Sequence, residues 1–148
     1  ALSSAASDVY KRQQQNLPGL KVTIATVPFK TRLSRSQNGQ FDMVISAWSA
    51  DFPDAITFLD LFTSDNSYND GKWANSEYDA LIKQSKTTDA TNATARWNTL
   101  LKAQELLTKE QGVVPLYQRV QTTLQRKTIT GLKYNPTNSY DFVNAKVK

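Results

Sequence analysis

The chain has 148 residues, with 18 Lys and Arg against 13 Asp and Glu, for a net charge of +5. It holds no Cys and no His, which excludes thiol nucleophiles, disulfides, thiolate metal sites and imidazole acid–base catalysis. No stretch approaches the about eighteen continuous apolar residues of a membrane span.

Residues 1–15, ALSSAASDVYKRQQQ, carry no apolar segment of the secretory-signal kind. In NLPGLKVTIATVPF, 16–29, Pro18 and Gly19 mark a turn, and Leu20, Val22 and Ile24 then alternate with polar or small residues as in a strand. FKTRLSRSQNGQ follows as a short helix with Phe29 and Leu33 one turn apart, stopped at Asn38-Gly39. FDMVISAW, 41–48, reads as a buried strand. Pro53 and Asp54 open a helix to about Phe62 with little polar face, so it is expected to be well buried or at an interface.

TSDNSYNDGKWAN, 63–75, is a loop by composition. NSEYDALIKQS is a helix with Ser76 and Asp79 at capping-box spacing. ATNATARWNTLLKAQELLTKEQG is the clearest helix: Ala93, Trp97, Leu100, Leu101 and Leu107 form its stripe, and Gly112 ends it. Trp97, Leu100 and Leu101 are expected in the core. VVPLYQRVQTTLQ, 113–125, is a strand, and the remainder holds turns at Gly131 and Asn135-Pro136 between short strand-like pieces. The alternation of helices and strands favours an α/β layer structure over a bundle or a sandwich.

The basic balance invites a nucleic-acid reading, but its distribution argues against one. Residues 1–47 carry +4, residues 48–110 carry −4 and residues 111–148 carry +5. No Lys or Arg stands between Arg35 and Lys72, while Asp42, Asp51, Asp54, Asp60, Asp65 and Asp70 all fall in that interval. Its field favours a cation over a phosphate. Arg126, Lys127 and Lys133 read as a solvated face.

Asp51 and Asp54 stand out among Trp48, Phe52 and Pro53. Carboxylates beside aromatics need a positive partner, from the chain or from a ligand. In open α/β sheets, ligands gather beyond the carboxyl ends of strands, which is where Asp51 falls. It either caps the next helix or meets a ligand. Asp54 is accounted for by capping and the helix dipole. Asp60 reads as an internal hydrogen-bond or ion-pair partner. Asp65, Ser67 and Asn69 have calcium-loop oxygen spacing, but the glycine is displaced and no Glu closes the loop, so no metal and no cofactor are expected. Asn92-Ala93-Thr94 is a glycosylation sequon.

FDMVISAWSADFPDAITFLDLF, WANSEYDALI, VVPLYQ, TGLKYNP and YDFVNAKVK together resemble the C-terminal part of the family 5 solute-binding proteins, the oligopeptide- and dipeptide-binding components of bacterial ABC importers. LPGLKV and VPFKTRLS give the resemblance a lactic-acid-bacterium cast. It runs from about Gln13 to Lys148. It implies an α/β fold, the C-terminal lobe portion of a type II periplasmic-binding-protein-like architecture, with a mixed sheet flanked by helices. Residues 1–12 lie outside the resemblance and are expected to be a non-native or unmatched leader. Residues 13–125 would form part of the C-terminal lobe, and residues 126–148 would return toward an N-terminal lobe that this chain lacks.

The resemblance further implies a non-catalytic, extracytoplasmic, lipoprotein-type binding component. It would take an oligopeptide in a cleft between two lobes and deliver it to the permease subunits of the importer. Asp51 would pair with the peptide's α-ammonium and Trp48 would line a side-chain pocket. Phe29 and Leu33 fall at apolar pocket positions, and Tyr117 lies on a strand running past the peptide backbone. At Ser36 and Ile45 the chain departs from members that carry arginines for the peptide carboxylate, which leaves recognition of the peptide C-terminus open. The alternative from another class is a carbohydrate-active hydrolase with Asp51 and Asp54 as paired carboxylates, which requires them about 5–9.5 Å apart.

Overall fold

Two-residue and three-residue ladders are the only β-structure among the described residues of the computed structural model, which are 12, 15–118, 122–135, 137 and 139–148. The chain divides into two units, residues 1–47 and 48–148. Of the expected leader, 1–12, only Arg12 lies within the described residues.

In the first unit, α1 spans Phe29–Gln37. Gly39 takes the left-handed conformation at φ +66°. Its N–H bonds the Ser36 carbonyl, and the Gln40 N–H bonds the Arg35 carbonyl. This crossed pair is the left-handed glycine stop that Asn38-Gly39 encodes. The Arg32 side chain folds over the Phe29 ring at 5.1 Å and donates to the Ile45 carbonyl and Ser46 Oγ at 3.4 and 3.3 Å. Residues 45–46 are thereby tied to the helix. The stretches expected as strands, 20–25 and 41–48, carry no ladder, and residues 42–43 form a bend. Alternating apolar residues shape a surface that suits a sheet, but a ladder also needs a neighbouring edge, and none is present among the described residues of this unit.

In the second unit, Asp54 and Ala55 lead into α2 (Ile56–Leu59), which tightens into a 3-10 turn at Asp60–Phe62. Then come α3 (Ser76–Lys86) and α4 (Ala93–Lys109), a hairpin of helices joined by six residues. Ile56, Leu59, Tyr78, Ile82, Leu100, Ala103 and Leu107 form the core. Burying such side chains is what holds short helices together in water. The Tyr78 ring is fully buried, meets the Trp73 edge at 5.0 Å, and donates its hydroxyl to the Leu59 carbonyl.

The helix starts differ from the expected capping. Asn75, not Ser76, caps α3: its side-chain oxygen accepts the N–H groups of Glu77 and Tyr78 at 2.9 and 3.0 Å. Asp79 instead accepts the Ser64 N–H at 3.0 Å, tying the preceding loop to the helix. At the far end of α4 the left-handed residue is Gln111, at φ +57°. Gly112 follows it and closes the turn through its N–H to Leu107. Gly112 is required for space, because a Cβ there would lie 2.7 Å from Leu107 and from the Trp73 ring.

The core expectation is corrected at two places. Leu100 is buried, but Trp97 is 56% exposed and Leu101 38% exposed, because only the α4 face turned to α2 and α3 is covered. Phe58, on the stretch expected to be well buried or at an interface, is also exposed.

Residues 113–118 and 122–125, expected as one strand, carry no ladder, and 119–121 lie outside the described residues. Beyond them β1 (Ile129–Thr130) pairs with β4 (Lys146–Val147), and β2 (Lys133–Asn135) pairs with β3 (Ser139–Asp141), both antiparallel. The Tyr134 and Tyr140 rings face each other across the inner hairpin at 5.3 Å. With α-helices and short antiparallel sheets both present among the described residues, the chain is α/β.

Candidate functional site

Residues 48–57 carry the two aspartates on a run of bends between Trp48 and the first turn of α2. Three interactions set its shape. The Asp51 N–H donates to Thr57 Oγ1 at 3.2 Å. Asp54 Oδ1 accepts the Ile56 N–H at 2.9 Å, which is the local capping expected of Asp54. Arg96, on α4, donates Nη1 to Asp54 Oδ2 and Nη2 to Asp54 Oδ1 at 2.8 and 2.9 Å. The Arg96 Nε also donates to the Ser85 carbonyl at 3.2 Å, so one guanidinium joins the loop to α3 and α4.

This fork-to-fork pair holds the Asp54 carboxyl below its ordinary range, chiefly through the Arg96 hydrogen bonds, against a smaller opposing effect of burial. Arg96 is pushed higher for the same reason. The lowered value favours the ionised form of Asp54. A hydrolytic pair needs one carboxyl that keeps a proton near neutrality. The side chain of Asp54 is built to do the opposite.

Asp51 is different. Its side chain is exposed, and among the described residues no Lys or Arg lies within ion-pair distance of it. Trp48, 37% exposed, rests edge-on against Tyr68 at 5.0 Å. Tyr68 comes from the loop by composition and was not singled out by pattern; a lone tyrosine among Asn, Asp and Ser carries no periodic signal. Asn69, in the same loop, is buried and donates to the Thr63 and Trp73 carbonyls, so its amide is spent on the loop's own backbone.

Tyr117 lies half exposed on the extended stretch of the second unit. Phe29 and Leu33 belong to the first unit, one turn apart on α1, with Phe29 70% exposed. Asp60, as expected, is an ion-pair partner: Lys86 Nζ reaches its Oδ1. Next to the loop, Ala50, Phe52, Pro53, Ala55, Phe58 and Trp97 line an apolar hollow of about 300 Å³.

Comparison with known proteins gives a consistent picture. The model of "Bacterial extracellular solute-binding proteins, family 5 Middle" matches residues 3–70. A dipeptide-binding protein of Lactococcus lactis subsp. cremoris is 42% identical over 137 residues, 91% of this chain and 25% of its own length. The chain is thus similar to family 5 of the solute-binding proteins, through the family model over residues 3–70 and through this relative over most of its length. Among solved structures, the substrate-binding domain of an oligopeptide ABC transporter from Bacillus anthracis matches with a TM-score of 0.83 at 30% identity, over 99% of this chain and 29% of that one. Listeria monocytogenes OppA bound to peptide matches with a TM-score of 0.76 at 34% identity, over 97% of this chain and 27% of that one.

The chain spans about a quarter of the length of the curated relatives it matches.

Proposed function

We propose that this chain is the C-terminal lobe portion of an extracytoplasmic, non-catalytic peptide-binding protein that hands oligopeptides to an ABC permease. Residues 13–125 would belong to that lobe, with 126–148 returning toward the other. In this reading Asp51 receives the α-ammonium of the peptide, and Trp48, braced by Tyr68, walls the adjoining side-chain pocket. Phe29 and Leu33 supply further apolar lining, and Tyr117 accompanies the peptide backbone.

The observation that carries the proposal is the contrast between the two aspartates. Three residues apart, one is clamped by an arginine of its own chain, and the other presents an exposed carboxylate with no such partner among the described residues. A charge-assisted hydrogen bond from an ammonium to such a group contributes about 1.5–3 kcal/mol and fixes where a bound peptide begins. Pairing along the peptide backbone would add affinity that ignores sequence. The arginine-locked Asp54 speaks against the hydrolase alternative.

The test is calorimetric titration of the protein, at the length of its relatives, with a peptide pool and with its N-acetylated copy. Acetylation is expected to weaken binding about tenfold or more, and Asp51→Ala to remove that difference. Equal affinity for free and blocked peptides refutes the Asp51 assignment. Turnover of a glycoside would favour the hydrolase.

A further inference from the structure

We infer that Arg96 is a positioning residue for the Asp51 carboxylate, acting through Asp54; the inference rests on the reading of Asp51 as the ammonium acceptor. The segment that carries Asp51 has no regular structure before Ile56. A carboxylate on such a segment selects poorly unless its place is fixed before the ligand arrives, since ordering it on binding subtracts from affinity.

The fixing bonds converge on Arg96. Asp54 sits three residues after Asp51, with the constrained backbone of Pro53 between them. Both Asp54 oxygens are held by the two terminal nitrogens of Arg96. The third nitrogen is held by Ser85 at the end of α3. The guanidinium is thus oriented from one side by a helix carbonyl and orients the loop on the other. At the loop's far edge, Thr57 accepts the Asp51 N–H and is itself buried.

The location of Arg96 is not explained by helix stability. It is the fourth residue of α4, where the helix dipole disfavours a cation. Neither is it explained by charge alone, which a lysine would supply. Only the planar fork grips both oxygens and so fixes the direction of the Asp54 side chain as well as its distance. The hydrophobic core is contributed by Leu100, Ala103 and Leu107 further along the helix, so the fold has its own support.

The test compares affinity for free and N-acetylated peptide in the protein at the length of its relatives, for the unaltered chain, Arg96→Gln and Arg96→Lys, each checked for folding by circular dichroism at the assay temperature. The unaltered chain is expected to prefer free peptide about tenfold or more. Arg96→Gln is expected to bring the ratio to within about threefold of one, and Arg96→Lys to an intermediate value. A structural role alone would weaken both peptides together and leave the ratio unchanged. A folded Arg96→Gln or Arg96→Lys protein that keeps the full ratio overturns the inference and leaves Asp51 standing. A ratio of one in the unaltered chain overturns the Asp51 reading, and the inference with it. Should Arg96→Gln not fold, the lysine variant decides, because it keeps the charge and loses only the fork.

Discussion

Arg96 and Asp54 are 42 residues apart in sequence and meet through two parallel hydrogen bonds of 2.8 and 2.9 Å. Their side chains are 25% and 30% exposed, so solvent weakens the pair without abolishing it. Asp54→Asn removes the charge and one acceptor. It is expected to lower the stability of the chain by about 1–2 kcal/mol at pH 7, read from denaturant unfolding.

The same pair sets an acid limit. The Asp54 carboxyl is held below its ordinary 3.8, mainly by Arg96. A depressed carboxyl contributes stability above its unfolded value and loses it as pH falls through its folded one. The Asp54→Asn deficit is therefore expected at pH 5–7 and should shrink as the solution is taken below about pH 4. A deficit that stays constant to pH 2.5 would mean that the charge of Asp54 is not what the pair contributes.

Much of this fold was legible from pattern. Asn38-Gly39 stopped a helix, and the apolar stripe of α4 placed Leu100 and Leu107 inside. What escaped was set by long-range partners. Trp97 lies on the apolar stripe of α4, yet that stripe is wider than the face covered by α2 and α3, so periodicity could not separate Trp97 from Leu100. The strands at 20–25 and 41–48 were read from side-chain alternation, which says nothing about whether an edge is at hand. Asp51 and Asp54 looked equivalent in sequence. Only the arrival of Arg96 from α4 distinguishes them, and the one local hint was a cation near a helix start.

Tyr78 offers a clean test of core burial. Its hydroxyl donates to the Leu59 carbonyl, and burial, with smaller contributions from Asp60 and Asp79, pushes its ionisation above the ordinary 10.0. A raised value means stability that is complete below the unfolded value and lost as pH rises through the folded one. The check is an alkaline absorbance titration followed beside circular dichroism. Tyr78 should ionise only together with unfolding. Tyr78→Phe keeps the ring against Trp73 but leaves the Leu59 carbonyl without this donor, for an expected loss of about 1 kcal/mol. A tyrosine count that completes below the unfolding transition would contradict the burial.

Capping of α3 separates the structure from the sequence pattern. Asn75 accepts two backbone N–H groups, while Ser76 lies inside the helix. Asn75→Ala is expected to lower the melting free energy by about 1 kcal/mol, and Ser76→Ala to change it by less than about 0.5 kcal/mol. The reverse order would restore the capping box between Ser76 and Asp79.

The end of α4 separates two roles often filled by one glycine. The left-handed position belongs to Gln111, at φ +57°, where a side chain is strained. The position without room belongs to Gly112, whose added Cβ would meet Leu107 and Trp73 at 2.7 Å. Gln111→Gly is therefore expected to stabilise the chain by about 0.5–1 kcal/mol, by removing the strain at the helix stop. Gly112→Ala is expected to destabilise it by about 1–3 kcal/mol, because the Trp73 ring is wedged between Tyr78 and the returning chain and has little space to yield. Thermal unfolding of the two variants beside the parent decides the matter. The contrary result, with Gln111→Gly destabilising and Gly112→Ala neutral, would remove the conformational demand from Gln111 and leave room beside Gly112.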